Sequence, residues 1–556
     1  MKRIPPIALI LALFAAVTAL GLFYDYGLST AGDELPLLST ALKMLGDHTL
    51  RPAYPVFYHV ALGVYAYLPF LALLLGGLLA FHVFPSVAAL KQFVILDYFQ
   101  FLPLARLITL GASVISIYLT YAIAERLFKE RRIALYASAF MATSLLFSYV
   151  SHFARVWPLQ IAVMLFAFYL IIALYEREEN TWKDFTYAGI AIGISFGVHL
   201  IGLLIYVPFI VALALRYGLR VFVDARFWCA NLAIAVMMLI VFYLNPYGFM
   251  NYAHFLNFLI NPFANVPVPV DYAPLPAGDI ALYYARILVA YDPLLLVFAL
   301  AGVVFLYSRG RKALLIIGSF IVVYYPVISI LGTVPRYIAP AIPFLSLLAG
   351  YGVYELTRTV EAGKRTAMVA ALFLLLCIPP IMLDAWMLKP STRSEAVSWI
   401  PSYIPAGSRI VLFDRFLPVN EDKQTLADTK KYSGDYTVAR AYLDSLDPTL
   451  LPAPRYYVLT VPMYTELPPY AAAPEELHGR YDYVILSWWS DKQRNQELKE
   501  LNTITSQRAE LPAVTHFGAT SEPLDIANDM PSPLPYLLAG GQSGPTIEVY
   551  RLAPAK

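Results

Sequence analysis

Long apolar runs separated by short basic segments fill the first two thirds of the chain. A membrane span needs about 20 predominantly apolar residues. Runs of this kind lie near 5–23, 104–124, 133–151, 157–175, 185–198, 199–215, 228–245, 290–307, 313–331, 338–357 and 366–387, which predicts eleven transmembrane helices. The fifth and sixth are short and meet around Gly197-Val198-His199, as half-length helices or a broken pair. A further apolar stretch, 56–83, is interrupted by Pro69. Between Glu34 and Leu45 the apolar positions Leu35, Leu38, Leu42 and Leu45 recur at helical spacing, while Ser39 and Lys43 face elsewhere. At about three turns this amphipathic helix is too short to span and is expected to lie in the membrane interface.

After Lys389 the pattern changes: charges become frequent and apolar runs shorten. Ser394–Ile400 reads as a helix start and Pro405-Ala406-Gly407 as a turn. Arg409–Phe413, Tyr456–Val461, Tyr483–Trp488 and Thr546–Leu552 read as strands. The chain is therefore expected to divide into a transmembrane domain, 1–389, and an α/β domain, 390–556.

Orientation follows from Lys and Arg, which accumulate in cytoplasmic loops. The basic segments are Lys2-Arg3, Arg126 to Arg132 (RLFKERR), Arg216 to Arg226, Arg309 to Lys312 and Arg358 to Arg365. Eleven crossings place all of them inside, together with the mixed-charge loop Glu176 to Asp184. A crossing by 56–83 would move every later basic segment outside. That stretch is therefore expected to be a re-entrant hairpin or surface-lying helix pair bent at Pro69. The N-terminus is then cytoplasmic, and the C-terminal domain and the loops 24–103 and 246–289 are extracytoplasmic, at the plasma membrane. The apolar run Ile4 to Phe23 lacks a small-residue cleavage site and reads as a retained first span rather than a signal peptide.

Composition narrows the function. Of 556 residues 59% are hydrophobic and 14% charged, against about 25% charged in soluble domains. A net charge of +2 gives no reason to expect nucleic acid. The two cysteines, Cys229 and Cys377, fall in apolar runs and exclude a disulfide framework or CxxC metal site. There is no Walker loop and no Gly-rich nucleotide cradle.

Chemistry concentrates in the first outer loop, where Gly32-Asp33-Glu34 puts two carboxylates at the membrane surface. Such a pair can supply a general base or bind a divalent cation (Mg or Mn) bridging a phosphate, and Asp33 is the candidate metal ligand. Asp33 also suits an N-cap and Pro36 a first helical turn, so simple helix initiation stays open beside catalysis. Arg106, Arg155, Arg286 and Arg336 fall at outer ends of spans, where basic residues are otherwise sparse. Each alone reads as a snorkelling side chain; together they suit an anionic ligand such as a lipid phosphate. Arg155, in Ser151-His152-Phe153-Ala154-Arg155, and Arg336, in Pro335-Arg336-Tyr337, stand out. His199, at the helix break, reads as a packing residue or a contact; His48, His59 and His152 are uncommitted. Tyr24, Tyr26, Tyr54, Tyr58, Tyr283 and Tyr284 are belt residues or sugar-stacking platforms.

In order along the chain, these features resemble the GT-C fold glycosyltransferases, particularly the protein O-mannosyltransferase and aminoarabinose transferase (ArnT-like) group. The resemblance runs over roughly 1–360: Gly32-Asp33-Glu34, Tyr54-Pro55, Arg106, Glu125 to Phe128, Ser151 to Arg155, the broken span pair, and Pro335 to Pro343. It implies a polytopic helical enzyme that takes a sugar from a polyprenyl-phosphate lipid, with inversion at the anomeric carbon. Asp33 becomes the base or metal-associated carboxylate and Glu34 its support. Arg155 and Arg336 become donor-phosphate ligands, and Arg106 a site or structural arginine. Tyr54, His199, Tyr283 and Tyr284 are left as acceptor or sugar contacts. One departure is plain: many relatives carry paired prolines or a basic residue after the first-loop carboxylates, where this chain has Tyr54-Pro55-Val56. The acceptor is left open among protein, lipid and polysaccharide. The competing class is a multi-span transporter, favoured by His199 at a helix break and opposed by charges confined to span ends.

Overall fold

The computed structural model describes residues 5–25, 28, 34–52, 62–245, 277–331, 334–433, 437–461, 473–510, 512–518, 533–539 and 542–553. Asp33 and Tyr54 lie outside them, as do most of loop 246–289 and, of the other first-loop residues, Tyr26, Tyr58 and His59. Among the described residues nine helices are long and apolar enough to cross a membrane, or eleven if each of two bent pairs is one span. The protein is a multi-pass helical bundle carrying a small C-terminal sheet domain.

The bundle centre is built from Leu102–Phe128, Arg131–Thr143, Val156–Glu176 and Ile342–Thr357. Pro293–Arg309 packs on Ile342–Thr357 at a glycine contact, where a Cβ on Gly302 would lie 2.0 Å from the Leu348 carbonyl oxygen. Gly189 makes the same close approach to Ala230, at 2.3 Å. Small residues let backbones meet where lipid supplies no hydrophobic driving force between helices.

Among the described residues three helix breaks bear on the site. Arg131–Thr143 turns by 62° into Leu145–Ser151, and Leu282–Tyr291 by 114° into Pro293–Arg309. The two breaks close each other: the Asp292 carboxylate accepts from Ser144 Oγ (2.7 Å) and from the amides of Leu145 (2.7 Å) and Leu146 (3.3 Å). An acidic group at exposed helix amides is favourable. The third break is at His199, between Trp182–Val198 and a 3-10 turn, Leu200–Ile205, where the sequence places a broken pair.

The observed set of eleven differs from the expected one in one member: it includes Leu62–Ala80 and omits Trp182–Val198, which has 17 residues. Leu62–Ala80, a short Leu62–Tyr65 followed by Leu68–Ala80, has 19 residues and is long and apolar enough to cross, whereas the sequence leads to the expectation of no net crossing by 56–83. The chain then continues into Val87–Asp97. Pro69 does not bend that stretch: proline occupies the first turn of Leu68–Ala80, and the helix ends before His82, which has φ 55°.

The amphipathic helix forms as Leu35–Gly46, but not as an open interfacial element. Leu37, Leu38, Thr40, Ala41, Leu42 and Met44 are all buried, against Leu62–Tyr65 and Leu68–Ala80. The buried face is wider than the leucine stripe, because these two helices cover it.

In the C-terminal domain five strands, β1 (Arg409–Leu412), β2 (Tyr457–Thr460), β3 (Tyr483–Trp488), β4 (Thr515–Phe517) and β5 (Thr546–Arg551), form one sheet. Their order is β2-β1-β3-β5-β4, with β2, β1 and β3 parallel and β5 antiparallel to both β3 and β4. Thr392–Tyr403 packs on one face, and Asp491–Ile504 supplies Leu501 and Ile504 to the other. The four strands read from sequence are present; β4, three residues long with a polar start, carries too little pattern to read. The domain docks through Tyr24 Oη donating to Ser543 Oγ (3.0 Å), Ser394 Oγ donating to Asp25 (3.0 Å), and Trp386 against Leu537.

Candidate active site

The two ends of the bundle differ in chemistry. At one end Glu176 faces Lys129 and Arg126, Arg177 faces Asp184, and Glu355 faces Arg309 and Arg358. These half-exposed pairs come from the basic loops. Arg106 opens the Leu102–Phe128 helix that Arg126 closes, so the other end lies about 30 Å away at helical rise.

That other end is organised by four consecutive residues, 152–155, between Leu145–Ser151 and Val156–Glu176. Each is tied to a different element. His152 meets Asp384, near the end of Ala362–Met387, with Nε2 2.6 Å from Oδ1. The Phe153 ring lies between two guanidiniums, 5.7 Å from Arg106 and 4.9 Å from Arg155. The Ala154 amide donates to Glu34 Oε1 at 2.6 Å. Arg155 donates to Tyr149 Oη at 3.2 Å, and its own amide closes a tight turn onto the Phe153 carbonyl.

Glu34 and Arg106 form a buried bidentate pair. Arg106 Nε and Nη2 donate to the two carboxylate oxygens at 2.9 and 2.8 Å, while Nη1 donates to the Leu22 and Tyr24 carbonyls. Both side chains are 1–2% exposed. A guanidinium has five N–H groups, and these four bonds commit most of them. Arg106 is thus a strut joining the first span, the first outer loop and the second span. That geometry argues for the structural alternative and against phosphate binding. Glu34 is likewise spent on Arg106 and Ala154. It stands at the start of Leu35–Gly46 with no side-chain cap bond.

The remaining candidates follow by contact. Val156 and Trp157 continue from Arg155, and the Trp157 ring packs on His199 (4.9 Å) and Tyr337 (5.3 Å). Tyr337 adjoins Arg336, whose guanidinium lies 5.8 Å from that ring in the Pro335–Ala341 turn. The Tyr284 hydroxyl lies against the Val334 backbone. Arg106, Arg155, Arg336, His199 and Tyr284 therefore share one neighbourhood. Arg286 does not join it: its side chain is 64% exposed and pairs with Asp279.

Two contacts narrow the roles. His199 Nδ1 accepts from the Ile201 amide and caps the 3-10 turn, so the break itself is explained by His199. Tyr284 is fully buried, with Tyr283 at 5.1 Å and Tyr325 at 6.2 Å. It offers no open ring face to a sugar; Tyr283 is half-buried. Asp384 is absent from the sequence-based candidates and His152 uncommitted among them. A carboxylate inside an apolar run after Pro379-Pro380 is the signal that marks Asp384. Among the described residues no group of three or more His, Cys, Asp or Glu is placed to hold a metal ion.

Residues 103–244 match the model of a family described as dolichyl-phosphate-mannose-protein mannosyltransferase. This stretch contains Arg106, the 152–155 turn and His199. Among solved structures, ArnT from Cupriavidus metallidurans in the apo state superposes with a TM-score of 0.51 at 13% identity, over 90% of this chain and 95% of that one. The oligosaccharyltransferase AglB from Archaeoglobus fulgidus gives a TM-score of 0.46 at 12% identity, over 88% and 73%. No curated protein sequence matches. The chain has a GT-C fold, which it shares with ArnT.

Proposed function

We propose that this protein is a glycosyltransferase that moves a sugar from a polyprenyl-phosphate lipid to an acceptor on the outer face of the plasma membrane. The observation that carries the reading is the 152–155 turn, which joins Glu34, Arg106 and Arg155 at the bundle end opposite the basic loops. The mannosyltransferase family match covers that turn and supports a lipid-phosphate donor. The basic loops, by the charge rule, are cytoplasmic, which makes the site and the C-terminal domain extracytoplasmic.

In this mechanism Arg155 and Arg336 receive the donor phosphate. Asp33, one peptide bond from the anchored Glu34, takes the proton of an acceptor hydroxyl. The hydroxyl oxygen attacks the anomeric carbon, the bond from that carbon to the phosphate oxygen breaks, and the lipid phosphate leaves with the electron pair. Negative charge grows on the leaving phosphate in the transition state, and preorganised cations stabilise it most there. Glu34 and Arg106 act as supports. Asp33 would hold a divalent cation, which would supply further neutralisation of the phosphate. The acceptor is a hydroxyl of protein, lipid or polysaccharide.

The test is transfer from polyprenyl-phosphate sugars by purified protein in lipid. Asp33→Asn is expected to lower the rate by about a hundredfold or more, as loss of a general base does. Full transfer by that variant would overturn the assignment. The transporter alternative draws on the broken spans. Their breaks are closed by Asp292 and His199, and solute flux without transfer would favour it.

A further inference from the structure

The His152–Asp384 contact lies outside the proposed chemistry, yet it is the most deeply buried ionisable pair at the site end, at 0% and 1% exposure. Its proton inventory follows from geometry. His152 Nδ1 is 2.7 Å from the Ser148 carbonyl, which only accepts, so Nδ1 carries a proton. The 2.6 Å contact from Nε2 to Asp384 Oδ1 then needs a second proton. It sits on the ring if Asp384 is ionised, or on the carboxyl if the ring is neutral. Either way the pair is neutral overall, which lets it persist where a lone charge would be strongly disfavoured. Asp384 Oδ2 has no partner.

The imidazole is also held sterically. A Cβ on Gly21 would fall 2.4 Å from His152 Cδ2 and 3.1 Å from Met387 Sδ. The outer ends of the first and last described spans thus meet on this one ring. Two residues further along, the Ala154 amide holds Glu34, and Arg155 follows.

Building on the transferase reading, we infer that His152 and Asp384 are a positioning pair. They fix the 152–155 turn so that Ala154 holds Glu34 in register with Arg155. Neither touches the reacting atoms. The last span therefore contributes to the site through Asp384, by acting on His152.

Three variants of the full-length protein in lipid test this. Asp384→Ala removes the partner and leaves Nε2 buried without one. Asp384→Asn keeps the contact, because its amide donates to the neutral ring. Gly21→Ala pushes directly on the same ring. Asp384→Ala and Gly21→Ala are expected to speed amide exchange at 152–155 and to lower kcat, each by about tenfold or more, with donor KM within about twofold. Asp384→Asn is expected to restore both to within about threefold of wild type.

Wild-type exchange and kcat in Asp384→Ala would overturn the inference. So would exchange that rises equally throughout the bundle, which marks a general loss of packing. If the wild-type protein transfers no sugar from a polyprenyl phosphate, the functional reading fails, while local exchange at 152–155 still decides the role of the pair.

Discussion

Glu34 and Glu355 are both glutamates facing arginine, at opposite ends of the same bundle, and they do different work. Glu34 and Arg106 are almost wholly buried, bidentate, and bonded further to three backbone groups. Glu355 is also buried, with 4% of its side chain exposed, but it meets Arg309 and Arg358, whose side chains are 44% and 43% exposed. A buried charge pair overcomes its desolvation only with good geometry and satisfied remaining groups, whereas a pair whose cations reach solvent is screened and contributes less. The difference teaches where precision is concentrated. The basic end marks a side of the membrane, and the site end fixes atoms.

The strongest way to break this comparison is to remove one member of the buried pair. Glu34→Ala is expected to destabilise the protein by about 3–5 kcal/mol, because it strands the Arg106 charge in the core; thermal unfolding in lipid or detergent measures it. Replacing both residues together by apolar ones of similar volume should recover most of that stability while transfer stays lost. Recovery of transfer as well would mean that the pair is not a support of the site.

A third carboxylate sharpens the comparison. Glu497, in the C-terminal domain, is buried like Glu34 but takes hydrogen bonds only from neutral donors, the Ser487 amide and Gln493. Burial pushes its pKa well above the ordinary glutamate range, against those hydrogen bonds. Folding therefore favours the protonated form. The contribution of Glu497 is fully present below the ordinary glutamate pKa and is lost as pH rises through the raised value. Glu497→Gln should remove that slope and raise Tm above this window, at about 2–4 °C per kcal/mol gained. Melting curves across pH of wild type and variant read the effect, and unchanged slopes would show that Glu497 is solvated.

The smallest effect is expected for Glu361, whose partner Lys364 is three residues away and whose side chains are 71% and 76% exposed. Glu361→Gln should change stability by no more than about 0.5 kcal/mol. A larger loss would undo the contrast between the two ends.

The sequence by itself determined the membrane class, nearly every span, the break at His199 and four of the five strands. Each of these is written in local periodicity: apolar length for spans, alternation for strands, and a polar interruption for a break. It also gathered Arg106, Arg155, Arg286 and Arg336 as one set from their places at span ends, of which Arg286 stands apart in the structure. Tertiary structure alone decided what those residues do. That Arg106 is committed to Glu34 depends on a contact across 72 positions, and that His152 meets Asp384 on one across 232. The burial of Leu35–Gly46 likewise depends on Leu62–Ala80, further along the chain. A side chain's charge is visible in the sequence, but its partner is fixed by packing between distant spans, and the partner decides whether a cation binds substrate or holds the frame.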